Sequence, residues 1–126
     1  LKLPTKLVYR LYDEKVFSAG RPPGRDVGMP ADDFASRTIY NRWRNIYSWD
    51  TVAENTYNCF ERIILAKYPV LTRIKNVLLA NGAASVVLTG SGSALVGIVP
   101  NPQIGRRLLK LVHQQHWWGR VVKTVP

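Results

Sequence analysis

The densest chemical signal in this chain is the run Leu88-Thr89-Gly90-Ser91-Gly92-Ser93. Its glycines let backbone N–H groups turn toward an anion without a Cβ in the way, and the hydroxyls of Thr89, Ser91 and Ser93 add donors. The chemistry this favours is phosphate binding. The run lacks the Gly-Lys-Ser/Thr of a Walker loop. It also lacks the helix that follows a dinucleotide fingerprint, because the next residues, Ala94-Leu-Val-Gly-Ile-Val99, read as a strand. An ordinary tight hairpin turn accounts for the same residues, and spacing alone leaves both readings open.

Other reactive groups are sparse. His113 and His116 stand three residues apart at a helix end, with no third histidine or nearby carboxylate to complete a metal set, so surface histidines at a helix terminus is the simpler reading. Cys59, the single cysteine, lies on an apolar helix face and reads as a structural thiol. The acid pairs Asp13-Glu14 and Asp32-Asp33 flank loops and read as solvated. No Ser/His/Asp constellation stands out. Taken alone, the chain offers a ligand-facing loop and no catalytic base.

The elements that must position the loop follow from periodicity. Apolar residues at 7, 8, 11 and 12 give a helix after Leu3-Pro4-Thr5, with Thr5 as a plausible N-cap. Residues 18–33, rich in Gly and Pro, read as a long surface loop. Residues 34–49 interleave Arg with Tyr and Trp. That mixture can bind single-stranded nucleic acid, but Ile39, Trp43 and Ile46 fall at helical spacing, which favours an amphipathic helix. Asp50 opens an expected helix of about 17 residues, with Val52, Thr56, Cys59/Phe60 and Ile63/Ile64 on one face. Pro69 opens the next, with Val70, Leu71, Ile74, Val77 and Leu78 inward and Asn81-Gly82 as its stop. Residues 84–89 and 94–99 form two strands of an antiparallel hairpin joined by Gly90-Ser91-Gly92-Ser93. Asn101-Pro102 starts a helix with Ile104, Leu108, Leu111 and Val112 inward, ended by Trp117-Trp118-Gly119. Residues 120–125 read as a final strand. Helices, hairpin, helix and strand in this order make an α+β two-layer sandwich.

Composition bounds the partners. The chain has 126 residues, 46 % of them hydrophobic, enough for one folded domain and too apolar for a disordered tail. Its longest apolar runs are too short to span a bilayer, so no membrane partner is expected. The net charge of +10 suits an anionic ligand. It is spread out, with no run of five or six like charges, which argues for a solvated basic surface rather than a nucleic-acid site. One cysteine suits a reducing, cytoplasmic setting. The chain opens on Leu1 with no signal peptide, so it reads as an internal or C-terminal piece of a longer product.

Several short stretches, in this order, resemble the C-terminal half of GHMP kinases: Asn58-Cys59-Phe60-Glu61, Tyr68-Pro69-Val70-Leu71, Leu79-Ala80-Asn81-Gly82-Ala83-Ala84, and Leu88 to Ala94 as the Gly-rich third motif. Within that family the likeness is strongest to members acting on a cytidine-diphosphate-linked methylerythritol in isoprenoid-precursor synthesis. These have a segment like Leu3-Pro4-Thr5, followed by a helix such as Val8-Tyr9-Arg10-Leu11-Tyr12-Asp13, and end on a strand like Val121 to Val125. The likeness covers about residues 1–17 and 50–125. Residues 18–49 depart from it and look like an insertion or surface loop-helix. Cys59 stands where the family more often has an acidic or small residue.

The resemblance implies that residues 1–126 are a ferredoxin-like GHMP kinase C-terminal domain, with its first strand missing and its catalytic N-terminal lobe absent. It implies an ATP-dependent phosphotransferase with a small-molecule alcohol acceptor, inactive as this fragment alone, with ATP and Mg2+ bound mainly by the other lobe. Thr89, Gly90, Ser91, Gly92 and Ser93 would face phosphate. Thr5 would contact the acceptor, and no catalytic or metal-binding residue would come from this chain. Alternatives remain: another family member of the homoserine or mevalonate type, a small-ligand sensor, or a ferredoxin-like RNA-binding module. The last is disfavoured because no expected strand carries an aromatic residue.

Overall fold

The computed structural model describes residues 1–18, 52–53 and 56–123. The sequence-based expectations for the loop over 18–33 (apart from Ser18, which is helical), the aromatic helix over 34–49 and the Asp50 N-cap fall outside these residues. The described elements run α1 (Thr5–Ser18), α2 (Glu61–Lys67), α3 (Pro69–Ala80), β1 (Ser85–Leu88), β2 (Leu95–Ile98) and α4 (Pro102–Gln114). This is an α+β arrangement around a two-stranded antiparallel sheet.

The hairpin pairs Ser85 with Ile98, Val86 with Gly97, Val87 with Val96 and Leu88 with Leu95. Side chains two apart on a strand share a face. Val86 and Leu88 therefore turn together onto the helices, where they are 4 % and 1 % exposed. Leu88 joins Val8, Ile64 and Leu71 in one core cluster, and Val86 joins Ala83 and Leu108 in another. Leu95 packs against both and ties them together.

Two helices begin as expected. Pro69 opens α3, where its missing N–H has no bond to lose. Asn101 caps α4, its Oδ1 accepting from the Ile104 N–H at 2.9 Å. Gly82, with φ +102°, ends the α3 region in the left-handed conformation that glycine takes without strain. The end of α4 uses His116 instead, at φ 57°. The Trp117 N–H bonds the Val112 carbonyl at 3.0 Å and the His116 N–H bonds the His113 carbonyl at 2.9 Å. These are the paired bonds of a Schellman motif.

Four expectations need correction. Thr5 is the first residue of α1 and not its cap: the Pro4 carbonyl accepts from Leu7 and Val8. The single helix expected over 50–67 is interrupted. Residues 52–53 are helical, 56–58 are not, and α2 starts at Glu61. The physical reason is Asn58, whose Oδ1 accepts from the Phe60 N–H at 2.9 Å and so offers the backbone an alternative to the helical ladder. Val70 is 45 % exposed, leaving Leu71 as the buried anchor of α3. Finally, the described part of the expected last strand, 120–123, has no regular structure. Valine-rich sequence forms a strand only where a ladder partner exists. Here Val121 instead packs on α4, its Cγ1 3.3 Å from where a Cβ on Gly105 would stand.

Candidate functional site

The turn between β1 and β2 is built by three groups of contacts. The first is its own backbone. The Thr89 N–H donates to the Ala94 carbonyl at 2.9 Å and the Gly92 N–H donates to the Thr89 carbonyl at 2.9 Å. Gly90 (φ +52°) and Gly92 (φ +85°) both take conformations that side chains resist. Their surroundings differ. A Cβ on Gly90 would meet nothing within 4 Å, whereas one on Gly92 would lie 3.2 Å from both Leu3 Cδ1 and Leu88 Cδ1. The turn is therefore open at Gly90 and packed at Gly92.

The second group comes from the N-terminal segment. The hydroxyls of Thr5 and Ser91 are 3.1 Å apart and hydrogen-bonded. The Ser93 hydroxyl donates to the Leu1 carbonyl. Residues 86 positions apart in sequence thus meet at one rim, and all the residues singled out for phosphate or acceptor binding, Thr5 and Thr89 to Ser93, lie together. The N–H donors are fewer than the sequence implied, because the N–H of Gly92 is taken within the turn.

The third group comes from the start of α2. The alternation of the ladder, set by the Thr89–Ala94 bond, turns both polar backbone groups of Leu88 away from β2. There Asn58 Nδ2 donates to the Leu88 carbonyl at 2.7 Å, and Glu61 Oε2 accepts from the Leu88 N–H at 2.7 Å. Asn58 Nδ2 also donates to the Gly90 carbonyl at 2.8 Å. Glu61 Oε1 is paired with Lys75 Nζ of α3 in a bridge whose side chains are only 18 % and 23 % exposed. Three residues earlier on β1, the Thr56 hydroxyl bonds that of buried Ser85 at 2.7 Å. A cleft of about 240 Å³, lined by Thr56, Tyr57, Asn58, Cys59, Glu61, Arg62 and Leu65, opens beside this seam.

Sequence reasoning had Asn58-x-x-Glu61 only as a mark of likeness and missed that these two side chains hold the turn. The signal was their polarity on an otherwise apolar helix stretch, three residues apart. The remaining candidates stay away from the turn. His113 is exposed on α4, and among the described residues no three His, Cys, Asp or Glu side chains converge as a metal site. No helix among them is long and apolar enough to cross a membrane.

The Gly-rich turn of the hairpin and the Asn-x-x-Glu stretch that holds it are two of the stretches that carried the family resemblance in the sequence. The family described as GHMP kinases C terminal matches residues 34–114, and the chain belongs to it. The match opens inside the 18–49 segment and so takes in 34–49.

Among curated proteins, it is 35 % identical over 96 % of its length to the 4-diphosphocytidyl-2-C-methyl-D-erythritol kinase of Symbiobacterium thermophilum, covering 38 % of that protein. It is 33 % identical over 71 % of its length to the enzyme of the same name from Thermodesulfovibrio yellowstonii, covering 31 % of it. The chain thus spans about a third of the length of the curated relatives it matches. No solved structure matches it significantly.

Proposed function

We propose that this chain is the C-terminal domain, residues 1–126, of an ATP-dependent kinase that phosphorylates 4-diphosphocytidyl-2-C-methyl-D-erythritol in isoprenoid-precursor synthesis. The observation that carries the reading is the 35 % identity to a kinase of that name across 96 % of the chain. The fold in full would be ferredoxin-like, with the first strand and the N-terminal catalytic lobe outside this sequence and the protein cytoplasmic.

In phosphoryl transfer the protein has little covalent chemistry to do, and catalysis is mostly positioning and stabilisation of charge. The turn suits that role. Its open side at Gly90 admits a phosphate to backbone range, and the Ser91 and Thr89 hydroxyls lie at its rim. Gly92 serves by geometry: with no Cβ it lets Leu3 and Leu88 close beneath the turn. Thr5, bonded to Ser91, would contact the acceptor alcohol. The residues present fit phosphate oxygens rather than a cation, so Mg2+ would be held mainly by the other lobe, where it would neutralise charge on the phosphates.

The test is phosphoryl transfer by the full-length protein. With ATP and 4-diphosphocytidyl-2-C-methyl-D-erythritol, phosphorus NMR should show a new phosphomonoester. Mevalonate and homoserine should give none. Transfer to either of those alcohols and not to the cytidine compound overturns the substrate assignment.

A further inference from the structure

We infer that Asn58 is a positioning residue for this kinase site, acting through the peptide between Gly90 and Ser91; the inference rests on the phosphate-facing reading of the turn. The argument starts from the planarity of that peptide. In a trans peptide the C=O and the following N–H point in opposite directions. The Gly90 carbonyl is drawn toward α2 by Asn58 Nδ2 at 2.8 Å. The Ser91 N–H is therefore aimed the other way, to the open side of the turn, and no described residue accepts from it. The same amide holds the Leu88 carbonyl at 2.7 Å, which anchors the strand end from which the turn departs. Its other end, Oδ1, is fixed by the Phe60 N–H. One side chain thus uses both donors and its acceptor to join helix start, strand end and turn. The amide has no freedom to swing away without breaking all of them.

Glu61 makes the arrangement stiff. Its carboxylate holds the Leu88 N–H while Lys75 neutralises it, so both polar groups of Leu88 are held from the Asn58–Glu61 stretch. A preorganised N–H aimed at the site of developing charge is the kind of donor whose loss costs an enzyme turnover rather than ground-state binding.

Asn58→Asp tests this in the full-length protein. The variant keeps the acceptor for Phe60 but sets an oxygen against the Leu88 and Gly90 carbonyls, so the turn peptide is released or rotated. Thr72→Val is the control. It removes a single hydrogen bond between α3 and the Leu65 carbonyl of α2, away from the turn. Per folded molecule, Asn58→Asp should lower kcat on the order of 10–100-fold with the acceptor KM changed less than about threefold. Thr72→Val should leave kcat within about twofold. In parallel, inorganic phosphate should shift the Ser91 amide resonance in the wild type and not in Asn58→Asp.

Normal kcat per folded molecule in Asn58→Asp overturns the inference, and so does an equal phosphate response of Ser91 in both proteins. An unresponsive Ser91 amide in the wild type overturns it as well. A wild type that transfers no phosphoryl group to any alcohol overturns the kinase reading instead, and the Ser91 response to phosphate then decides the role of Asn58 alone.

Discussion

The two glycines of the turn make a matched pair in which strain and packing can be separated. Both have positive φ, so an alanine at either position meets a backbone penalty of about 1–2 kcal/mol. Both substitutions also stiffen the unfolded chain, which returns about 0.4–1 kcal/mol. At Gly90 nothing lies within 4 Å of the new methyl, so the net loss should be about 0–1.5 kcal/mol. At Gly92 the methyl must also fit 3.2 Å from Leu3 Cδ1 and Leu88 Cδ1. Leu88, 1 % exposed and held at both backbone groups, has little room to yield. Leu3 is half-buried and can move. Overpacking of this kind costs about 1–3 kcal/mol, so Gly92→Ala should be less stable than Gly90→Ala by about 1–2 kcal/mol.

Urea unfolding of the full-length variants, read with a probe in this domain, measures the difference. Adding Leu3→Ala to Gly92→Ala should recover part of the loss, with a coupling of about 0.5 kcal/mol or more. Equal losses at the two glycines, or additivity of Leu3→Ala with Gly92→Ala, would refute the packing argument. The result also guides the use of these variants in kinetics: a drop in turnover at Gly90 would report the open side of the turn, because little else changes there.

Three further outcomes are expected. Glu61→Ala leaves the Leu88 N–H and the Lys75 ammonium without their partner, and should cost about 1–3 kcal/mol in urea unfolding; replacing Lys75 by Met as well should recover part of it, and strict additivity would count against a coupled pair. His116→Gly should raise stability by about 0.5–1 kcal/mol, because the Schellman bonds need a left-handed residue that histidine adopts at a cost; a lower melting temperature would mean that the imidazole makes a compensating contact. Shortening residues 19–33, outside the family match, to a brief linker should leave turnover within about threefold; a loss beyond about a hundredfold with the fold intact would make that stretch part of the working site.

The hairpin, α3 and α4 were legible because each rests on local rules. Pro69 and Asn101 mark starts, Gly82 marks a stop, and apolar runs rich in β-branched residues flank a Gly/Ser turn. The residues of the turn were legible for the same reason. What the sequence hid was set by distant partners. Thr5 has the right chemistry for a helix cap, and only the arrival of Ser91 from across the chain explains why its hydroxyl is used elsewhere. Asn58 sits in a stretch with helical periodicity, and its side chain breaks the helix because two carbonyls from β1 and the turn are there to receive it. The stretch Arg120-Val121-Val122-Lys123 has strand propensity, but the surface offered by Gly105 of α4 decides where Val121 goes. In each case the missing information was a tertiary partner and not a local preference.

The capping of Leu88 gives the sheet a direction of growth. On the outer side of β1, the N–H and C=O that a neighbouring strand would need at Leu88 are already engaged by Glu61 and Asn58. An incoming chain would have to displace a carboxylate and an amide to pair there, breaking one existing bond for each it formed. On the far side, β2 presents Val96 and Gly97 to solvent and pairs with no further strand among the described residues. A sheet of this kind is a template with one blocked end. At Leu88 the outer edge of β1 is thus closed to a further strand by two side chains, whereas the outer edge of β2 is left free among the described residues.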